Sequence, residues 1–344
     1  MPQVVLPDVR FDSVVSWRGS MKRLLVRLRR WRVLKRLVLS MACLFASCAF
    51  CWADGGSASR YLYGGDGRIN LLNPKNGATF DGSYRAAGGA YDEEALKAIQ
   101  GVFGAPYGEP LSRISLRLIE FIDFLQDRLE PGARIQIVSG WRSPQYNTKL
   151  RSKGRLAAKA SLHQYGMAAD IKIGKVPSER VWNYVKDLGF GGTGYYHGQL
   201  VHVDVGPARS WDETTSGVGT DISKDNKLIG LITDFDRYRP GDVVTLRFIR
   251  MTAFPIGVQR EFVLNRVDRD GSMQWVTDFK PSFARQTDGD CPEFADIGEM
   301  LGIQYQLPET IPPGRYKINA AFCNRLWDAM PGEISTPEFE IVRP

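Results

Sequence analysis

Along the chain, the pattern of apolar and polar positions separates two regions of different character. Residues 69–72 read as a short strand, and Asp92 stands where it can cap a helix whose apolar positions Leu96, Ile99 and Phe103 recur at helical spacing. A longer stripe of Leu111, Ile114, Leu118, Phe121, Ile122, Leu125 and Leu129 predicts one helix from about Pro110 that stops at Pro131-Gly132. An alternating strand follows at 134–138, then the loop Ser139-Gly140-Trp141-Arg142, then a helix opened by Ser143-Pro144, because proline is tolerated in the first helical turn. Further strands are predicted at 169–173 and 199–205, with a helix over 177–188 ended by Gly189. Helices mixed with short strands predict an α+β domain, and strands this short suggest an antiparallel sheet.

From residue 209 to about 223 the composition shifts to Ser, Thr, Gly and Asp, as in a linker. Beyond it, strand-like runs at 243–251, 260–267, 272–278, 315–323 and 338–342 are separated by turns such as Pro-Gly-Asp and Pro-Pro-Gly. Many short strands and little helix predict a small all-β sandwich. The expected organisation is a targeting segment or anchor over 1–53, a Gly/Ser-rich tether over 54–67, an α+β domain over 68–212, a linker over 213–223 and the sandwich over 224–344.

The net charge of +7 suggests a polyanion-binding protein until the charges are located. Residues 1–53 carry ten Lys and Arg against Asp8 and Asp12, leaving 35 basic and 36 acidic residues in the remainder. No basic footprint for nucleic acid survives there. The front segment has a basic run from Lys22 to Arg36, an uncharged stretch from Leu37 to Ala53 and a small residue at its end, which is the pattern of a signal peptide. Retention as a membrane tether, a start at Met21, and lipid attachment at Cys48 are the alternatives. Cleavage after Ala53 leaves Cys291 and Cys323, and two cysteines in an exported chain point to one disulfide.

All three histidines, His163, His197 and His202, fall within forty residues. In 200–205, Val201, Val203 and Val205 take one face of a strand and Leu200, His202 and Asp204 the other. In 169–173, Ile171 and Ile173 alternate with Asp170 and Lys172 in the same way. His202, Asp204 and Asp170 can thus share one surface, with His163 arriving from the preceding loop. Two imidazoles and a carboxylate with an open fourth position suit a catalytic Zn²⁺, which activates its bound water and polarises a carbonyl. Gly166, Ala168 and Ala169 let the backbone come close beneath such a metal.

The run Ser161-Leu162-His163-Gln164-Tyr165-Gly166-Met167-Ala168-Ala169-Asp170 resembles the S-x-H-x-x-G-x-A-x-D signature of the M15 D-Ala-D-Ala metallopeptidases. The closer resemblance is to their MepK (DUF882) murein endopeptidase branch. It also rests on Ile69-Asn70-Leu71, on Ser139 to Pro144, on Gly194-Tyr195-Tyr196 and on Val201 to Trp211, and covers roughly residues 65–212. It implies a Hedgehog/D-Ala-D-Ala peptidase-like domain, zinc held by His163, Asp170 and His202, a periplasmic setting and hydrolysis of peptidoglycan peptide cross-links. By the same resemblance Arg142 steadies a substrate carbonyl or carboxylate, and Ser161 bonds substrate or shapes its loop. Trp141, Tyr195, Tyr196 and Trp211 either form an aromatic wall for a glycan or peptide or simply pack, and His197 lines the rim or assists the transition state. Many members carry an acid three residues before the last ligand, but Gln199 stands there in this chain and cannot take a proton. Asp204 is then either the replacement base or a carboxylate that orients His202. The expected function is a zinc-dependent murein endopeptidase, with a D,D- or L,D-carboxypeptidase and a non-catalytic zinc-containing wall-binding protein as rivals.

Overall fold

A mixed seven-stranded sheet carries Asp170, His202 and Asp204. It is built from β1 (Arg68–Leu72), β2 (Thr79–Ser83), β3 (Ile135–Ser139), β4 (Ala168–Ile173), β5 (Gly192–Tyr195), β6 (Val201–Asp204) and β7 (Arg209–Asp212), in the order β2-β1-β3-β4-β6-β5-β7. The structure, a computed structural model, describes residues 59–86, 89–153, 157–215, 226–284, 289–323 and 327–343. The expected targeting segment and most of the 213–223 linker lie outside the described residues. Among the described residues no helix is long and apolar enough to cross a membrane.

The central pairs β3–β4, β4–β6 and β6–β5 are antiparallel, as expected from such short strands. However, β1–β3 and β5–β7 are parallel, so the sheet is mixed rather than antiparallel. Among the described residues four α-helices accompany it: α1 (Glu93–Val102), α2 (Leu116–Leu129), α3 (Pro144–Ser152) and α4 (Ser178–Leu188). Asp92 caps α1 by accepting from the backbone of Glu94 and Ala95, and Ser143 caps α3 ahead of Pro144. Gly189 ends α4 in the left-handed region at φ 62°. The helix expected from Pro110 begins only at Leu116. The Ser115 amide instead donates to the Gly166 carbonyl at 2.9 Å, so this stretch supports the loop before β4 rather than starting a helix early. Helical and sheet side chains, among them Phe103, Leu118, Phe121, Ile122, Ile137, Ile171 and Val203, close one core.

The C-terminal part is all-β. Its strands are β8 (Gly230–Thr233), β9 (Arg237–Tyr238), β10 (Val243–Ile249), β11 (Ile256–Gly257), β12 (Phe262–Val267) and β13 (Met273–Phe279), then β14 (Glu293–Phe294), β15 (Ile303–Gln306), β16 (Gly314–Ala321), β17 (Glu333–Ser335) and β18 (Phe339–Ile341). They form a three-stranded sheet, β15-β10-β8, and a six-stranded one containing β12, β13, β16 and β18, around a second core of Phe248, Phe262, Phe294 and Phe339. Cys291 and Cys323 are disulfide-bonded, as expected.

The two parts are joined firmly. Ile232 and Ile249 of the β-part belong to the first core, and buried Arg117 of α2 pairs with Asp236 at 2.8 Å and donates to the Thr233 carbonyl at 2.9 Å. Residues 59–67, expected as a tether, are packed where described. Tyr61 is buried, the Leu62 amide donates to Asp236 at 3.0 Å, and the Tyr63 ring sits 5.1 Å from that of Phe124.

The end of this segment lies against Asp123, which is fully buried and accepts from the Tyr84 hydroxyl at 2.7 Å and the Gly67 amide at 2.9 Å. Its second carboxyl oxygen has no partner. Burial, against the pull of these two hydrogen bonds, pushes the Asp123 carboxyl up to about 7. An acid whose folded pKa exceeds its unfolded value of about 3.9 favours the fold while protonated, so this contribution is complete below that value and is lost as pH rises through about 7. Urea denaturation should therefore show wild type losing stability relative to Asp123→Asn between about pH 4 and about pH 7. A difference between the two that stays constant over that window contradicts the assignment.

Candidate metal centre

Register places the polar residues of the central strands on one side of the sheet. Asp170 pairs with His202 across β4–β6, His202 with Gly194 across β6–β5, and Gly194 with Trp211 across β5–β7. Since side chains alternate faces along a strand, Asp170, His202, Asp204 and Trp211 share this side, while Val201, Val203 and Ile171 point into the core. Gly194 is needed there: a Cβ would meet the Trp211 indole at 2.0 Å.

His163 enters from a 3₁₀ turn, Leu162–Tyr165, ended by Gly166 at φ 64°. Any side chain at Gly166 would stand 2.3 Å from the Arg113 carbonyl, so the left-handed turn and the tight contact both demand glycine. His163, Asp170 and His202 are all buried, and each offers one ligand-type atom within 4.8 Å of the others. Asp170 Oδ1 is 3.1 Å from His202 Nδ1 and 3.5 Å from His163 Nε2.

Every member of this trio has a second partner that fixes its orientation. His163 Nδ1 donates to the Gly140 carbonyl at 2.7 Å, which turns Nε2 toward Asp170. His202 Nε2 lies 2.9 Å from Asp204 Oδ2, which leaves Nδ1 facing Asp170. Arg142 donates to Asp170 Oδ2 at 2.8 Å and to Ser139 Oγ at 3.0 Å, and the Tyr196 hydroxyl donates to Asp170 Oδ1 at 3.0 Å. The donor set, two imidazoles and a carboxylate held by outer partners, fits a tetrahedral zinc site with one open position.

Electrostatics follow from this packing. Burial would raise Asp170, but the charges and hydrogen bonds of His163 and His202 outweigh it and hold the carboxyl well below the usual range. Burial lowers His163. For His202 burial also acts downward, and the hydrogen bonds to Asp170 and Asp204 reverse it.

Asp204, expected as either base or orienting carboxylate, is fully buried and heavily committed. Arg209 grips it through two bonds of 2.6 and 3.0 Å, the amides of Gly192 and Gly206 donate at 3.1 and 2.9 Å, and His202 takes the remaining approach. Burial raises its pKa, yet Arg209 and His202 more than offset this and depress it strongly. A carboxylate so stabilised is a weak proton acceptor, and it lies on the side of the His202 ring away from Asp170. Gln199 accepts from Lys172 Nζ at 2.7 Å at the surface.

The remaining expectations divide. Tyr196 joins the cluster, and buried Ser161 precedes the turn that carries His163 without a side-chain capping bond to it. Half-buried Trp141 packs against the first core. His197 does not join the cluster. Its Nε2 is 2.7 Å from Asp212 and its ring 4.4 Å from that of Tyr195, and both partners lie on the Val201 face of the sheet, opposite His202. Its expected place at the substrate rim is thus not what the geometry gives. Gly140 and Arg209 are supporting residues to which the sequence assigns no role, whereas Trp211 is a candidate for an aromatic wall. The Trp211 ring is 5.7 Å from His202 and 5.2 Å from Tyr196.

Comparison with known proteins adds an independent line. The family model described as peptidoglycan L,D-endopeptidase MepK matches residues 65–211. The peptidoglycan L,D-endopeptidase MepK of Escherichia coli (strain K12) is 32% identical over 125 residues, spanning 36% of this chain and 69% of that protein. A probable peptidoglycan L,D-endopeptidase MepK from Haemophilus influenzae is 40% identical over 80 residues, 23% of this chain and 43% of that one. Among solved structures, a superoxide reductase (neelaredoxin) from Ignicoccus hospitalis overlaps 33% of this chain and 80% of its own at 10% identity. Its TM-score of 0.19 supports no argument.

Proposed function

Because the chain belongs to the MepK branch of M15-type peptidases, we propose that it is an exported, zinc-dependent peptidoglycan L,D-endopeptidase that hydrolyses peptide cross-links of the bacterial cell wall. The observation that carries this reading is the convergence of His163, Asp170 and His202, buried and separately oriented, on one face of the sheet. Zinc bound by these three residues would supply a water activated near neutral pH and Lewis acidity toward the scissile carbonyl.

In this reading His163 presents Nε2 and His202 presents Nδ1 to the metal, with Asp170 Oδ1 between them. Arg142 keeps Asp170 in place through Nη2, and its Nη1, which has no protein partner among the described residues, is available to a substrate carbonyl or carboxylate oxygen. The Tyr196 hydroxyl and Trp211 wall one side of the site, and the Ser161 hydroxyl is available to bond the peptide. Asp204 acts through His202: it fixes ring orientation and raises ligand basicity instead of taking a proton from water. The basic and apolar front segment directs export to the periplasm or cell envelope, with cleavage after Ala53 or retention as an anchor.

Cross-linked peptidoglycan digested with the purified protein should lose its dimeric muropeptides, and chelator or His202→Ala should abolish the loss. Stoichiometric zinc without cleavage of any bond would transfer support to the non-catalytic wall-binding reading. Cleavage confined to free stem peptides would instead favour a carboxypeptidase.

Asp204→Asn separates an orienting role from a base. The orienting role predicts zinc affinity weakened about 10–100-fold in chelator competition, with activity recovered by excess zinc. A variant that binds zinc normally yet loses turnover would make Asp204 the base.

A further inference from the structure

The ligand turn Leu162–Tyr165 is held from two directions. On the side of the α+β part, the Gly140 carbonyl takes His163 Nδ1, the Arg142 amide donates to the His163 carbonyl at 3.2 Å, and Ser115 holds Gly166. On the other side the contacts come from β10 and the residues after it. Arg247 Nη1 donates to the Tyr165 carbonyl at 3.0 Å, its guanidinium carbon sits 5.5 Å from the centre of the Tyr165 ring, and the Met251 amide donates to the Tyr165 hydroxyl at 3.0 Å. Tyr165 is buried, two residues from His163.

Arg247 is an expensive way to pin a turn. It forms no ion pair among the described residues, and its Nε and Nη2 are buried without a hydrogen-bond partner. Burial depresses its pKa, as expected for a cation taken out of water without a counter-ion. A side chain that served only to join the two parts could be apolar, like neighbouring Ile249, which already packs into the first core. What Arg247 adds is a directed bond to the backbone of the turn that carries His163, together with a flat surface against Tyr165.

We propose that Arg247 is a positioning residue for the metal site, acting through Tyr165 on His163, and that the C-terminal β-part is thereby a component of the catalytic unit. This inference rests on the reading of His163 as a zinc ligand. The β-part holds one end of the ligand turn, so the spacing between His163 Nε2, Asp170 and His202 Nδ1 depends on both parts of the chain.

The test uses the whole protein loaded with zinc and follows metal release into a coloured chelator alongside thermal unfolding. Arg247→Met is expected to release zinc at least about tenfold faster than wild type, in the range seen when outer partners of metal ligands are removed. Arg247→Lys keeps a donor but loses the planar fork, and is expected at an intermediate rate; it carries the test if the methionine variant does not fold. Arg237→Met is the structural control. It breaks the 2.9 Å pair with Glu340 and a bond to the Tyr61 carbonyl, away from the ligand turn, and should lower the melting temperature without changing release. Wild-type release rates in the Arg247 variants, or equally fast release from Arg237→Met, overturn the inference. A wild-type protein that takes up no zinc overturns the ligand reading beneath it, and the inference falls with that reading.

Discussion

A carboxylate buried between two imidazoles is the constraint around which this protein is arranged. Asp170 lies in a low-dielectric site where an unpaired anion would cost several kcal/mol. It is tolerated because His163, His202, Arg142 and Tyr196 surround its two oxygens. Each of those groups is held in turn: His163 by the Gly140 carbonyl, His202 by Asp204, and Asp204 by Arg209 and two amides. The network is therefore directional. It points one imidazole nitrogen from each histidine at the same carboxylate oxygen and occupies the other nitrogen elsewhere, which is preorganisation for a cation.

The β-part extends that arrangement. Arg117–Asp236 and the shared apolar contacts of Ile232 and Ile249 merge two cores into one mechanical unit, and Arg247 reaches from the second to the turn that carries His163. The packed segment around Tyr61 and Tyr63 closes the same junction from the N-terminal side. The turn that carries His163 is thus braced from two sides of the chain.

Much of this was legible in the sequence because it depends on short-range periodicity. The alternation in 200–205 placed His202 and Asp204 on one face opposite three core valines, and the spacing of His163 to Asp170 put loop and strand in the right relation. The caps at Asp92 and Ser143 were equally local. What failed was non-local. The apolar stripe from Leu111 looked helical, but Ser115 is used by a turn fifty residues later. His197 is close to His202 in sequence, yet its neighbours Tyr195 and Asp212 carry it to the other face of the sheet. The surroundings of Asp204, with Arg209 and the Gly192 and Gly206 amides donating to it, had no sequence signal either. Parallel pairing of β7 with β5 had no sequence signal, because four residues of mixed polarity carry no register information.

X-ray absorption at the zinc edge on the purified, zinc-loaded protein tests the centre most directly. The account predicts one zinc per chain with two imidazole ligands and light oxygen or nitrogen neighbours at about 2.0–2.2 Å, and loss of that signature in Asp170→Asn. Sulfur in the first coordination sphere, a single imidazole, or an unchanged spectrum in the Asp170 variant would place the metal elsewhere and contradict it.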